Sequence, residues 1–115
     1  MAFAHSASLA AALVLASTLA SNAASFDCDK EELAPDEQAI CDDRALNDAD
    51  VRMVTTFDLL TGLLAMGGRD SMRDEQTKWL AERTACEADV DFIRDAYDRR
   101  LKQLEKTYLS LNRPL

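Results

Sequence analysis

The stretch "DEQTKWLAERTAC", residues 74–86, contains the only tryptophan of the chain and one of its three cysteines. Gln76, Trp79, Leu80 and Arg83 follow one another at intervals of three and four, which places their side chains on one face of an α-helix. This spacing predicts a helix over about residues 72–86. Trp79 and Leu80 are expected in a hydrophobic core, as is usual for apolar residues on the inner face of a bundle helix.

Three further stretches of the sequence have helical periodicity. They predict a short helix over about 35–41, a long one over about 44–65 and another over about 90–109. Asp42 or Asp43 is expected to cap the long helix. Short connections between three amphipathic helices are typical of a small antiparallel bundle. We therefore predict an all-α fold of one short and three longer helices, with no strand.

The segment "GGRDS", residues 67–71, is predicted to separate the second and third helices. Its glycines permit the positive φ angles of a helix stop, and Asp70 or Ser71 would then cap the third helix. A turn over residues 66–70 is expected to protrude from the end of the bundle. Arg69 in this turn is the candidate contact to a protein partner.

Residues 1–24 have the pattern of a secretory signal peptide. They contain no Lys, Arg, Asp or Glu, and their apolar core, residues 9–20, is too short for a membrane span. Cleavage is expected after Ala23 or Ala24, which leaves a helical domain over residues 25–115. The alternative is that the segment forms an internal apolar helix or follows from a misassigned start codon. With the signal removed, we expect a periplasmic or secreted protein without stable membrane insertion.

All three cysteines lie in residues 25–115, and an odd number in an oxidising compartment suggests one disulfide plus either a free thiol or an intermolecular bond. An antiparallel bundle brings the end of the third helix back to the start of the second. This favours a Cys41–Cys86 disulfide as the stabilising cross-link. Cys28 lies near the same end, so the pairs Cys28–Cys41 and Cys28–Cys86 stay open.

Composition and charge restrict the function classes. The formal net charge is −8, so the chain is expected to repel nucleic acid and to attract cationic proteins. The only histidine is His5, in the predicted signal, which leaves no histidine for a catalytic triad or a zinc site. No glycine loop has the pattern that holds phosphate groups. We expect no enzymatic activity, no metal and no cofactor.

Two interpretations account for the polar residues beside Trp79. In the first, Gln76 and Arg83 flank the core, and Arg83 buries its methylene groups while its charge stays in water. In the second, Arg83 and Arg100 meet Asp50 of the second helix inside the bundle. Such an ion pair would fix the register of the helices more than it would stabilise them, because desolvation offsets most of the attraction.

The ordered blocks "SFDC", "EQAIC", "EQTKWLAERTAC" and "YDRRLKQL" resemble the LprI-type family of small exported bacterial proteins, which is named for a lysozyme inhibitor. The resemblance covers residues 25–115. The matching residues are Cys28, Ile40, Cys41, Leu46, Asp50, Gln76, Trp79, Leu80, Arg83, Cys86, Tyr97, Arg100, Leu101 and Leu104. It implies that Gln76 and Arg83 belong to the inward polar signature of the fold.

Three positions depart from the family pattern. Phe57 stands where a tyrosine is usual, and Thr84 stands where an aspartate is usual. Phe92 occupies the position of a fourth cysteine. The resemblance therefore implies that one of the two disulfides of the family is absent from this chain.

The resemblance supplies the leading functional hypothesis, an exported protein that inhibits a cationic lysozyme by protein–protein occlusion. The acidic charge suits such a partner because opposite charges steer association. The alternative hypothesis is a periplasmic structural or scaffolding protein that acts through a bundle face and its free cysteine.

Overall fold

The computed structural model describes residues 24–111, which form four helices and no strand. The predicted signal peptide, apart from Ala24, lies outside the described residues. The helices are α1 (Pro35–Asp42), α2 (Arg44–Leu63), α3 (Met66–Ala85) and α4 (Val90–Ser110). The prediction of a small all-α bundle with one short and three longer helices is confirmed. Among the described residues, no helix is both long and apolar enough to cross a membrane.

Side-chain contacts between the long helices fix their directions. Arg83, near the end of α3, hydrogen-bonds Tyr97 of α4, whereas Gln76, two turns earlier in α3, accepts a hydrogen bond from Arg100 of α4. The partners of α3 therefore follow one another in the opposite order along α4. The same two side chains of α3 meet α2 in the same reversed order. Helix α3 is thus antiparallel to both α2 and α4.

Helices α2 and α4 begin after a capping aspartate, whereas α1 and α3 begin after an alanine that makes no side-chain cap. Asp43 caps α2, as predicted, because its carboxylate accepts a hydrogen bond from the backbone N–H of Leu46 at 3.0 Å. Pro35 is the first residue of α1, where its missing N–H would have no helical partner in any case. Asp89 caps α4 by accepting from two backbone N–H groups. The two aspartate caps fix where α2 and α4 begin.

The core is formed by the inward faces of all four helices. The indole of Trp79 packs edge-on against the ring of Tyr97, with 5.0 Å between ring centroids. Its N–H donates to the backbone oxygen of Ala96 at 2.9 Å. The other buried apolar side chains of the helices are Ile40, Leu46, Met53, Leu60, Met72, Ile93, Ala96 and Leu104.

The prediction that Leu80 is a core residue is wrong. Trp79 is 3% exposed, but Leu80 is 39% exposed. Successive residues of an α-helix are rotated by about 100°. Once the indole of Trp79 faces α4, Leu80 is turned towards solvent, and the inner face is completed by Arg83.

The prediction of a glycine turn at residues 67–71 is also wrong. Helix α2 ends at Leu63 and α3 begins at Met66, so both glycines lie in the first turn of α3 and neither has a positive φ angle. Asp70 and Ser71 therefore lie within the helix and do not cap it. The connection is the extended pair Leu64 and Ala65.

Arg69 explains how so short a connection is stabilised. Its guanidinium donates from Nε to the backbone oxygen of Thr61 at 3.0 Å and from Nη2 to that of Leu64 at 3.2 Å. The last carbonyls of a helix lack partners within the helix, and basic side chains can satisfy them. The predicted protruding turn does not exist, and Arg69, the candidate partner contact, binds the end of α2.

The preferred Cys41–Cys86 disulfide is wrong. Cys28 is bonded to Cys41, with 5.8 Å between their Cα atoms, and Cys86 is free. The segment before α1 runs back beside that helix, which brings Cys28 to Cys41. The thiol of Cys86 donates instead to the backbone oxygen of Glu82, one turn earlier in α3, at 3.4 Å. The bundle is therefore disulfide-stabilised, as predicted, through one of the pairs that had stayed open.

Candidate functional site

A buried ion-pair cluster joins all four helices near the disulfide. Its members are Arg83, Asp36, Asp50 and Tyr97, and we refer to it as the Arg83 cluster. The Nε of Arg83 donates to Oδ2 of Asp36 at 2.9 Å, and its Nη1 donates to the hydroxyl of Tyr97 at 3.2 Å. Tyr97 donates in turn to Oδ1 of Asp50 at 2.7 Å, and that oxygen lies 3.6 Å from Arg83 Nη1. One guanidinium thus connects α3 to α1, α2 and α4.

The members of the Arg83 cluster are almost fully removed from water. Asp36 and Asp50 are at most 1% exposed, Tyr97 is fully buried, and Arg83 is 6% exposed. The second carboxylate oxygen of Asp50 accepts from the backbone N–H of Ser25 at 2.6 Å. Asp36 keeps one buried oxygen, Oδ1, without a hydrogen-bond partner. Because a buried charge is costly unless it is paired, each carboxylate depends on Arg83.

Burial and charge shift two pKa values in the Arg83 cluster. Burial by itself lowers the pKa of Arg83, but Tyr97 and Asp36 oppose it, and the pKa of Arg83 ends up raised. Burial raises the pKa of Tyr97 well above its usual range, and the nearby Asp50 carboxylate adds to this, although Arg83 opposes it. The phenol therefore stays protonated and keeps donating to Asp50.

Aromatic rings enclose the guanidinium of Arg83. Its central carbon lies 5.5 Å from the ring centroid of Phe26 and 5.7 Å from that of Trp79. Both distances are within the range of cation–π attraction. Phe26 lies two residues before Cys28, so the disulfide helps to hold this cover over the cluster.

A second buried arginine lies about one helical turn after Tyr97 on α4, between α3 and α4. Arg100 is 1% exposed. Its Nε donates to Oε1 of Gln76 at 2.8 Å, and its Nη1 donates to Oε1 of Gln103 at 3.2 Å. The nearest carboxylate, Glu75, is 3.6 Å away and its side chain is 62% exposed. Nη2 of Arg100 has no hydrogen-bond partner, and burial lowers the pKa of this guanidinium.

A shallow groove of about 420 Å³ lies beside Gln103 and Glu75, the neighbours of Arg100, between α3 and α4. Its walls carry both signs of charge and amide and hydroxyl groups. The lining residues are Glu75, Lys78, Trp79, Glu82, Gln103, Lys106 and Thr107. Among residues 24–111 no group of histidine, cysteine, aspartate or glutamate side chains is arranged to hold a metal ion.

The structure brings together only part of the predicted polar site. Asp50, Arg83 and Tyr97 meet in one cluster, so the interpretation that places Arg83 inside the bundle with Asp50 is confirmed. Arg100 does not join them, and it binds Gln76 instead. The polar signature residues thus form two groups, one around Arg83 and one around Arg100.

The sequence did not predict that Asp36 belongs to the Arg83 cluster. Asp36 lies in the first turn of α1, where a carboxylate suits the positive end of the helix dipole. One signal was available, because Asp36 lies four residues before Ile40 and therefore on the same face of α1. Ile40 is fully buried, and so is Asp36.

The formal charge is divided unequally between the two ends of the bundle. We define the disulfide half as residues 24–50 and 80–99, and the turn half as residues 51–79 and 100–111. The disulfide half contains 16 acidic and 5 basic residues, a net charge of −11. The turn half contains 5 acidic and 7 basic residues, a net charge of +2. The acidity of the protein is therefore concentrated around the disulfide.

Compared with protein-family models, curated proteins and solved structures, the chain matches none of them. By its structure the protein is a disulfide-bonded helical bundle with a buried ion-pair cluster. The resemblance to the LprI-type family stays a prediction.

Proposed function

We propose that the protein is an exported binding protein of the cell envelope that inhibits a cationic lysozyme by covering its surface. The observation that carries this proposal is the net charge of −11 on the disulfide half. A concentrated acidic surface attracts a cationic protein from a distance and orients it during encounter. The family resemblance, which is a prediction from sequence, supplies lysozyme as the partner.

The acidic surface is well suited to contact a large partner because it is held in a fixed shape. Its exposed acidic side chains are Asp27, Asp29, Glu31, Glu32, Asp42, Asp48, Glu82, Glu87, Asp89, Asp91, Asp95 and Asp98. Those before α1 lie on a segment that the Cys28–Cys41 disulfide ties to the bundle. A rigid surface loses little conformational entropy when it binds.

The Arg83 cluster supports the same proposal indirectly. Its ionisable side chains are buried and hydrogen-bonded to one another, so they hold the helices together at the acidic end. The carboxylates available to a partner are the exposed ones around the cluster. The disulfide supports export, because such bonds persist in oxidising compartments.

The experiment is a titration of the purified protein against a cationic lysozyme acting on cell walls. We expect inhibition at micromolar protein in low salt, and weaker inhibition as the salt is raised from about 0.02 to 0.5 M, because salt screens exposed charges. Absence of inhibition at low salt would remove lysozyme as the partner.

A matched pair of variants tests the surface. Glu31→Lys/Glu32→Lys changes the charge of the disulfide half, and Asp70→Lys/Asp74→Lys makes the same change in the turn half. All four side chains are exposed, so the fold should be retained, which circular dichroism checks. We expect the first variant to weaken inhibition at least tenfold more than the second. Equal effects would show that net charge alone, and not the acidic surface, determines binding.

A further inference from the structure

Large apolar side chains are exposed together at the turn end of the bundle. Leu59 and Leu63 of α2 are 66% and 65% exposed, Met66 of α3 is 76% exposed, and Leu109 of α4 is 62% exposed. We call these four residues the apolar end patch. They lie where α2 ends, α3 begins and α4 ends, so they share one end of the molecule.

A groove extends the apolar end patch between α2 and α4. It has a volume of about 270 Å³ and is lined by Thr56, Leu59, Leu60, Leu63 and Tyr108. Leu59 and Leu63 are one helical turn apart and form one wall of this groove. Single exposed apolar residues are normal on a protein surface, but several at one end of the molecule beside an apolar groove are typical of an interaction site.

The charges around the apolar end patch indicate its occupant. The patch lies in the turn half, whose net charge is +2, while the disulfide half carries −11. Two copies that meet at their disulfide halves would repel each other, whereas two copies that meet at the patch keep their acidic halves at opposite ends. Repulsion over such distances is largely screened at physiological salt.

The border of the patch also fits a second copy. Asp58 adjoins Leu59 on α2, and Glu105 and Lys106 lie one turn before Leu109 on α4. In a twofold-symmetric interface the same surface meets itself. A border that carries both signs of charge can pair with its own copy, since acidic residues of one subunit meet basic residues of the other.

We propose that the apolar end patch is the interface of a symmetric homodimer. The dimer buries Leu59, Leu63, Met66 and Leu109 of both subunits and leaves two acidic surfaces at its far ends. This proposal does not depend on the identity of the partner that the acidic surface binds.

Sedimentation equilibrium of the purified protein tests the proposal. All samples carry Cys86→Ser, which removes the free thiol and prevents a disulfide between copies. We expect a monomer–dimer equilibrium, and we expect Leu63→Glu to raise the dimer dissociation constant at least tenfold. The matched control is Phe92→Glu, because Phe92 is 62% exposed but lies in the disulfide half. This control should leave the dissociation constant unchanged.

Mixing oppositely charged variants sharpens the test. Leu63→Lys and Leu63→Glu should each be monomeric alone and should form a heterodimer when combined, as expected if the two patches face each other. Circular dichroism confirms that each variant is folded.

Three outcomes would overturn the proposal. The first is a wild-type protein that stays monomeric up to about 1 mM. The second is a dimer weakened equally by Leu63→Glu and Phe92→Glu. The third is a monomer that binds vesicles of anionic lipid through Leu63, which would make a membrane surface the occupant. Failure of the dimer proposal can be distinguished from failure of the lysozyme proposal. We expect the dimer to persist at high salt, whereas high salt weakens lysozyme binding.

Discussion

The two buried arginines of the bundle have very different surroundings. Arg83 contacts two carboxylates that are at most 1% exposed, a phenol and two aromatic rings, and it connects all four helices. Arg100 contacts two amide oxygens and one carboxylate whose side chain is 62% exposed, and it connects only α3 and α4. Both guanidinium groups are buried, but their neighbours depend on them to different degrees.

The difference shows that the consequence of removing a buried charge depends on what is left behind. Without Arg83, Asp36 and Asp50 would remain buried without a cation. Without Arg100, Glu75 would simply be hydrated, because it already lies largely in water. Breaking a buried pair is strongly destabilising when the remaining partner cannot reach solvent.

The largest effect is expected from Arg83→Met, which keeps most of the side-chain volume. We expect the free energy of unfolding to fall by about 3–5 kcal/mol, because two buried carboxylates lose their cation. Urea unfolding at neutral pH, followed by circular dichroism, measures the loss. A loss below about 1 kcal/mol would mean that water reaches the carboxylates and that the cluster is not the main connection between the helices.

The next effect is expected from Cys28→Ser/Cys41→Ser, which opens the disulfide beside the Arg83 cluster. The bond spans 13 residues, and a loop of this size contributes about 3 kcal/mol in the chain-entropy model. The control is Cys86→Ser, which should change stability by less than about 0.5 kcal/mol. The opposite order of effects would show that Cys86 takes part in the disulfide.

A smaller effect is expected from Tyr97→Phe, which removes one hydroxyl and keeps the ring against Trp79. The hydroxyl both donates to Asp50 and accepts from Arg83. Its loss leaves a buried carboxylate oxygen with one fewer donor, which costs about 1–3 kcal/mol. The near-ultraviolet circular dichroism of Trp79 should be retained, since the aromatic contact does not involve the hydroxyl.

The same tyrosine predicts a dependence of stability on alkaline pH. The pKa of Tyr97 is raised in the folded protein, so above the unfolded value of about 10 the unfolded chain loses this proton first. Its contribution to stability is therefore complete below pH 10 and is lost as the pH rises further. In a Cys86→Ser background, urea unfolding at pH 9 and 11 should show a smaller decrease for Tyr97→Phe than for its parent. Equal decreases would show that Tyr97 is not the group responsible.

The sequence predicted the helices and part of the Arg83 cluster, because these depend on periodicity. Arg83, Asp50 and Tyr97 lie on the inward faces of their helices, and residue spacing identifies such faces. The place of Asp36 in the cluster was not predicted, because a role at the positive end of the helix dipole explained this residue equally well. The α2–α3 connection was not predicted because Arg69, six residues past the end of α2, binds the last carbonyls of that helix where a glycine was expected to end it. Long-range pairings of this kind, and the choice of Cys28 as the partner of Cys41, depend on tertiary contacts that no local pattern contains.

The smallest effect is expected from Arg100→Met, the direct counterpart of Arg83→Met. The substitution removes a buried guanidinium whose Nη2 has no partner, and an apolar side chain of similar length can fill its place. Loss of the hydrogen bonds to Gln76 and Gln103 is offset by relief from burying an incompletely paired charge, so we expect a change of at most about 1 kcal/mol in the free energy of unfolding. Urea unfolding at the same pH as for Arg83→Met gives the comparison directly. If Arg100→Met lowered the free energy of unfolding as much as Arg83→Met, the exposed carboxylate of Glu75 would depend on its arginine as strongly as the buried carboxylates of Asp36 and Asp50 do. The exposure of the neighbouring carboxylates would then not explain the difference between the two arginines.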